Sequence, residues 1–212
     1  MNAAYCNKYQ SPQAAQAYHD AHRNDRAKQR RTRKEIEILG ELLRTQKSCD
    51  AILDLPCGGG RLSGPIHAAT KLLIEADISL SQVVFACNHS SAGANRVYFA
   101  ASATEIPLPT NSVDAAVCAR LSHHLSTLEQ RESLIRELLR IARRFVIVSF
   151  ADRHSIKNLL RVLSGKAPNP HSMSSREIAG IAKKSQARLA ACPSVSLLGS
   201  RHRYALLVKD PP

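Results

Sequence analysis

Apolar positions along this chain follow two rhythms. From residue 51 onward, short apolar runs alternate with stretches in which apolar residues recur every three or four positions. That exchange is the pattern of strands alternating with helices. The runs predict strands over 51–56, 71–76, 96–100, 113–119 and 145–150. The helical spacings predict a helix over 60–69 with Leu62, Ile66 and Ala69 inward. Another is capped by Ser79 or Ser81 and runs through Val83, Val84 and Phe85. A third covers 127–142, with Leu128, Ile135, Leu138, Leu139 and Ala142 on one side, and a fourth covers 156–163. Ser174 or Ser175 opens a last helix, its buried stripe marked by Ile178, Ile181, Ala182 and Leu189. Residues 195–198 and 204–208, joined by 199–203, read as an antiparallel hairpin. Ahead of the first strand, Pro12 starts a short Ala- and Gln-rich helix, and Ile36, Leu39 and Leu43 mark an amphipathic one. The fold class expected is α/β: a Rossmann-like, doubly wound, mostly parallel seven-stranded sheet with a C-terminal antiparallel hairpin. Residues 1–45 divide off as an N-terminal helical cap on a domain over 46–212.

Composition changes this picture in two places. Hydrophobic residues are 44% of the 212, but aromatics are only 4% and Trp is absent, so the core must be aliphatic. The six cysteines are scattered and form no C-x-x-C pair, which argues against a disulfide framework or a zinc site. The opening residues are polar and no apolar run approaches the length of a bilayer span, so no membrane span is expected and the expected compartment is cytoplasmic. The net charge is +13, from 30 basic and 17 acidic residues, and it favours an anionic partner. Within residues 23–34 stand Arg23, Arg26, Lys28, Arg30, Arg31, Arg33 and Lys34 against Asp25 alone. This run reads as one face of a long helix, either simply solvated or docked on an anionic membrane surface or RNA. Docking would make the protein peripheral at the membrane.

The chemistry concentrates where an apolar run carrying Asp54 breaks into Gly58-Gly59-Gly60. Glycines let a ligand approach the backbone closely, and a helix start offers free N–H groups and a positive dipole end. The segment Asp54-Leu55-Pro56-Cys57-Gly58-Gly59-Gly60-Arg61 resembles the first motif of class I S-adenosylmethionine-dependent methyltransferases. The near relatives are of the methyltransferase-11 type, similar to ubiquinone- and menaquinone-biosynthesis enzymes. Glu75-Ala76-Asp77-Ile78-Ser79 is similar to that family's acidic second motif. Residues 103–109, followed by Asn111-Ser112-Val113-Asp114, resemble its third and fourth. The resemblance covers about residues 50–150.

It implies S-adenosyl-L-methionine as cofactor, held by Asp54, Pro56, Cys57, Gly58, Gly60, Asp77, Ile78, Ser102, Ala103 and Arg120. Asp54 would accept from the methionine ammonium. Asp77, at a strand's carboxyl end in the crevice of a parallel sheet, would bind the ribose hydroxyls. Pro56 stands where the family often has Gly, and Ser102 where many relatives have an adenine-binding Asp. Adenine recognition then leans on Ala103 backbone groups and on packing by Ile78. Tyr5 and Tyr18 are read as a lid over the sulfonium, or as packing of the first helix. Arg23 is a candidate partner for the cofactor carboxylate, whereas Arg61 reads as a solvated helix residue.

After the fourth strand come Arg120-Leu121-Ser122-His123-His124, with no carboxylate nearby. His123 and His124 are the candidate general bases, since a neutral imidazole can take a proton. The expected reaction is O-, C- or N-methylation of a small-molecule or lipid-like acceptor. Alternatives are an RNA methyltransferase and a non-catalytic cofactor-binding partner protein. Gly58, Gly60 and Gly64 also leave a nicotinamide dehydrogenase open.

Overall fold

The computed structural model describes residues 10–90, 95–196 and 200–210. Two helices come first, α1 (Pro12–Asn24) and α2 (Arg26–Arg44). Then follow β1 (Cys49–Asp54), α3 (Ser63–His67), β2 (Thr70–Asp77), α4 (Leu80–His89), β3 (Arg96–Ala100) and β4 (Val113–Cys118). The second half holds α5 (Leu128–Ile141), β5 (Ala142–Ala151), α6 (Ile156–Leu163), α7 (Ser175–Lys184), β6 (Ala187–Ala191) and β7 (His202–Lys209). The seven strands form one sheet in the order β3-β2-β1-β4-β5-β7-β6. All neighbours are parallel up to β5, and β7 runs antiparallel to both β5 and β6.

Strand order reverses between β1 and β4, and a ligand crevice opens at such a point. Both faces of the sheet are covered, so β4 is buried at every position, as a parallel strand between helix layers must be. The period-2 alternation divides the core. Leu53, Ala116, Val146 and Leu207 point to the α5–α7 side. Ile52, Val117, Phe145 and Tyr204 point to the α2–α3 side, where Leu39, Leu42 and Leu43 meet them. The segment read as a separate cap therefore supplies one core layer through α2.

Five departures from the sequence reading have local causes. The basic run is not one face of a single helix: the Asp25 carboxylate accepts from the N–H groups of Ala27 and Lys28 and starts α2 afresh. The helix expected over 60–69 is only Ser63–His67, because Gly58 and Gly60 sit at φ +54° and +80° and prolong the turn. A dipole end at the glycine loop is accordingly weaker than expected. In α5, Leu128 is exposed, and Ala142 already belongs to β5. Leu189 lies in β6, not in α7, since pairing with β7 overrides the helix propensity of an Ala-rich pentapeptide. The named strand paired with β7 is consequently Ala187–Ala191, and of the expected 195–198 strand the described part is joined to β7 by the Ser194–Arg203 antiparallel bridge and the Val195 N–H to the His202 carbonyl (3.0 Å). Residues 197–199 lie outside the described residues, as does Tyr5.

Candidate active site

The carboxyl ends of β1, β2 and β4 surround one cavity. Its floor is the turn after β1, where a cis peptide joins Leu55 to Pro56. The Cys57 N–H donates to the Ala76 carbonyl (2.8 Å), tying this turn to β2. Gly58 donates its N–H to Asp77 Oδ2 (3.0 Å), and Ser79 donates to Asp77 Oδ1 (2.9 Å). Burial lifts the Asp77 pKa, and the backbone N–H groups of Ser79, Gly58 and Ile78 oppose that lift.

Asp54 ends β1 almost wholly buried. Its Oδ2 finds no hydrogen-bond partner among the described residues. Burial, with Glu75 and Asp77 nearby, raises its pKa well above the ordinary aspartate value. An unpartnered buried carboxylate on a cavity wall is a costly feature. A cationic ligand would remove that cost.

The lining also has a basic part. Glu35 of α2, fully buried, pairs with Arg61 (2.8 Å) and Arg120 (2.6 Å), and Arg61 also donates to Thr32 Oγ1 (3.0 Å). Two guanidinium groups on one carboxylate leave one net positive charge beside the cavity. Arg120 adopts φ +65°, and its N–H donates to Ser149 Oγ on β5 (2.7 Å). The cavity lining therefore carries both an anion and a cation. The apolar Ile78, Ala101 and Ala103 line it as well.

Helix α1 closes one side. The His19 ring stacks on Phe85 (4.0 Å between centroids), and His19 Nε2 bonds Gln82 Oε1 (3.1 Å). A Cβ on Gly59 would overlap this imidazole. Gly59 must therefore lack a side chain for α1 to seat on the loop. Tyr18 reaches the cavity wall from the same helix.

Residues 53–149 match a family model described as a methyltransferase domain. No curated protein matches the chain. Among solved structures, magnesium protoporphyrin IX methyltransferase from Synechocystis, solved with bound SAH, superposes with a TM-score of 0.73 at 19% identity, covering 88% of each chain. A SAM-dependent methyltransferase from Aquifex aeolicus gives 0.65 at 17% identity, over 93% of this chain and 98% of that one. The N-methyltransferase NodS from Bradyrhizobium japonicum gives 0.67 at 12%, over 84% and 96%. Residues 53–149 are thus similar to a methyltransferase domain, and the sheet that holds them has the Rossmann-like fold of S-adenosylmethionine-dependent methyltransferases. At these identities the solved structures carry the fold alone.

Of the residues picked out from the sequence, Asp54, Pro56, Cys57, Gly58, Asp77, Ile78, Ala103 and Arg120 line the cavity. Gly60 lies behind the loop, where a Cβ would come within 3.2 Å of Ser63 Oγ. Ser102 turns back on its own loop, bonding Thr104 Oγ1 (3.0 Å), and Ala101 stands on the wall in its stead. Arg23 is exposed and off the cavity, and Arg61 is a buried wall residue, not a solvated one.

The two histidines form a single 3-10 turn, Ser122–His124, one step behind the wall residue Leu121. Ser122 Oγ donates to the Ser149 carbonyl (2.8 Å) and fixes that turn on β5. The His123 ring meets His124 at 4.1 Å and His202 of β7 at 4.7 Å. Its Nδ1 is buried with no partner among the described residues. Burial, then the neighbouring His124 and His202, lower the His123 pKa to about 2. Burial likewise takes His202 to about 3.

Sequence reasoning missed Glu35, His19, Gln82 and His202. Glu35 carried a readable signal: it stands three, four and seven positions before Ile38, Leu39 and Leu42, on the apolar stripe of its helix. A carboxylate there must be paired. The other three become visible only when distant segments meet.

Proposed function

We propose that this protein is an S-adenosylmethionine-dependent methyltransferase acting on a small-molecule or lipid-like acceptor. The observation that carries the reading is the charge on the cavity lining: an unpartnered Asp54 carboxylate together with the Arg61–Glu35–Arg120 group and its excess positive charge. The α-ammonium and α-carboxylate of an amino acid, carried on one carbon, match an anion and a cation on the same lining. Asp77 retains lone-pair capacity for a ribose hydroxyl beyond the N–H groups it already accepts from. Ile78, Ala101 and Ala103 suit the flat face of an adenine. When bound, the cofactor supplies an electrophilic methyl group on a sulfonium. Tyr18, carried by α1, excludes water from the cavity.

The His123–His124 pair, after β4, is the proposed proton acceptor. An imidazole held near a pKa of 2 stays neutral at working pH and takes a proton only once the acceptor atom has become strongly acidic through methyl attack. Wild-type turnover should then show no acidic limb near the ordinary imidazole pKa. The test is mass spectrometry of metabolite and lipid extracts incubated with labelled S-adenosylmethionine, followed by kinetics on the acceptor found. A labelled acceptor is expected, with His123→Ala or His124→Ala slowing turnover roughly 10²–10⁴-fold and sparing cofactor affinity. Cofactor binding without any labelled product would favour a non-catalytic partner protein. Normal turnover of both variants and of the double variant would remove the histidines from the mechanism.

A further inference from the structure

Helix α6 presents its apolar side to solvent. Ile156, Leu159, Leu160 and Leu163 recur at i, i+3, i+4 and i+7, which is one face of a helix. They are 39%, 56%, 58% and 73% exposed. The inward residue is polar: buried Asn158 donates to the Arg153 carbonyl (2.6 Å) and accepts from the Asn169 N–H (3.0 Å). These bonds hold the helix in an orientation opposite to the one burial of apolar surface would choose.

Cations flank the stripe on one side. Lys157 and Arg161 follow one flank, and the basin beside them is completed by Lys166, Arg201 and Arg31 of α2. Among the described residues no carboxylate lines that basin. Its inner wall is His202, the neighbour of His123.

We propose that α6 docks the protein on an anionic lipid surface, its four aliphatic side chains entering the acyl boundary and the flanking cations meeting the headgroups. An aliphatic stripe with a basic flank is the combination such surfaces select. A second copy of the chain fits poorly. Apposing two such faces brings both sets of cations together, and one eight-residue helix covers far less than the roughly 800 Å² per partner of a stable interface. RNA would engage the cations and leave the aliphatic stripe without a role, since single strands stack on aromatic platforms and this face has none. Docked in this way, the basin leading to His202 opens at the lipid interface. The surface is distinct from the basic run across α1 and α2, apart from their shared Arg31.

The test is co-sedimentation of the full chain with vesicles of phosphatidylcholine alone and of phosphatidylcholine with an equal amount of phosphatidylglycerol. The wild type should bind the anionic vesicles, release them as salt rises, and ignore the neutral ones. Replacing Leu159, Leu160 and Leu163 together by Ser should weaken that binding roughly tenfold or more. Lys166→Glu with Arg201→Glu should do the same. Both variants alter exposed side chains, and unchanged thermal unfolding and S-adenosylhomocysteine affinity would show them folded. Wild-type vesicle binding by the serine variant would overturn the proposal, as would binding indifferent to lipid charge. A wild-type dimer that the serine variant dissolves would assign the stripe to a second copy. Binding to RNA but not to vesicles would assign the cations to nucleic acid.

Discussion

At the scale of the residue, Asp54 carries the clearest conflict between stability and function. Its native pKa is raised, so the folded state holds that proton more tightly than the unfolded chain does. The stability it contributes is full below the ordinary aspartate pKa and is lost as pH rises through the raised native value. At neutral pH the ligand-free protein therefore pays for a buried charge. Asp54→Asn keeps the shape and removes that charge. It should raise the melting temperature of the ligand-free protein at neutral pH, with the gain fading toward acid, and it should weaken cofactor binding by about 1.5–3 kcal/mol. Differential scanning calorimetry across pH, with and without S-adenosylhomocysteine, measures both effects. A variant that is less stable and binds normally would mean that Asp54 only supports the loop. Asp54 and Asp77 were readable because each ends an apolar strand immediately before a loop. Ser102 was misplaced for a reason no spacing reveals: its hydroxyl is satisfied within its own turn, by Thr104.

At the scale of the element, the glycine loop and α1 form one unit. The loop's motif marked Gly58 and Gly60, but the tightest constraint is on Gly59, set by a histidine forty positions earlier in the chain. Such a constraint depends on tertiary contact and leaves no local trace. Gly59→Ala should push His19 off Phe85 and lift α1, lowering cofactor affinity and exposing the α1–α2 junction to proteolysis. Gly64→Ala, where an added Cβ meets nothing within 4 Å, should change neither. Limited proteolysis of the two variants side by side reads the difference, and equal protection would show that α1 does not depend on the loop. The same contrast explains which helices were legible. α5 and α7 announce themselves through capping boxes at Thr127 and Ser174, because the signal is local. The division between α1 and α2 turns on the one acidic residue in a basic run, and charge counting obscured its role as a cap.

At the scale of the whole molecule, the sheet was legible because parallel strands buried on both faces are continuous apolar runs. β3 stands where the sequence reading put it, and β1, β2 and β4 differ from it by one or two residues at their ends. The C-terminal pairing was less legible: β6 reads as Ala-rich helix, and only β7 beside it makes it a strand. The cavity's acidic wall was likewise visible in sequence, since β1 and β2 each deliver a carboxylate to the crevice. Its basic wall was not, because Glu35, Arg61 and Arg120 come from three separate segments and acquire meaning only as a paired group. That polarity is the centre of the account, and titration calorimetry of the full chain with S-adenosylhomocysteine and, separately, NADH tests it most directly. Saturable binding of S-adenosylhomocysteine, lost in Asp77→Ala and weakened in Asp54→Asn, is expected, with no binding of NADH. Binding of NADH alone, or of S-adenosylhomocysteine with equal affinity in both variants, would contradict the account.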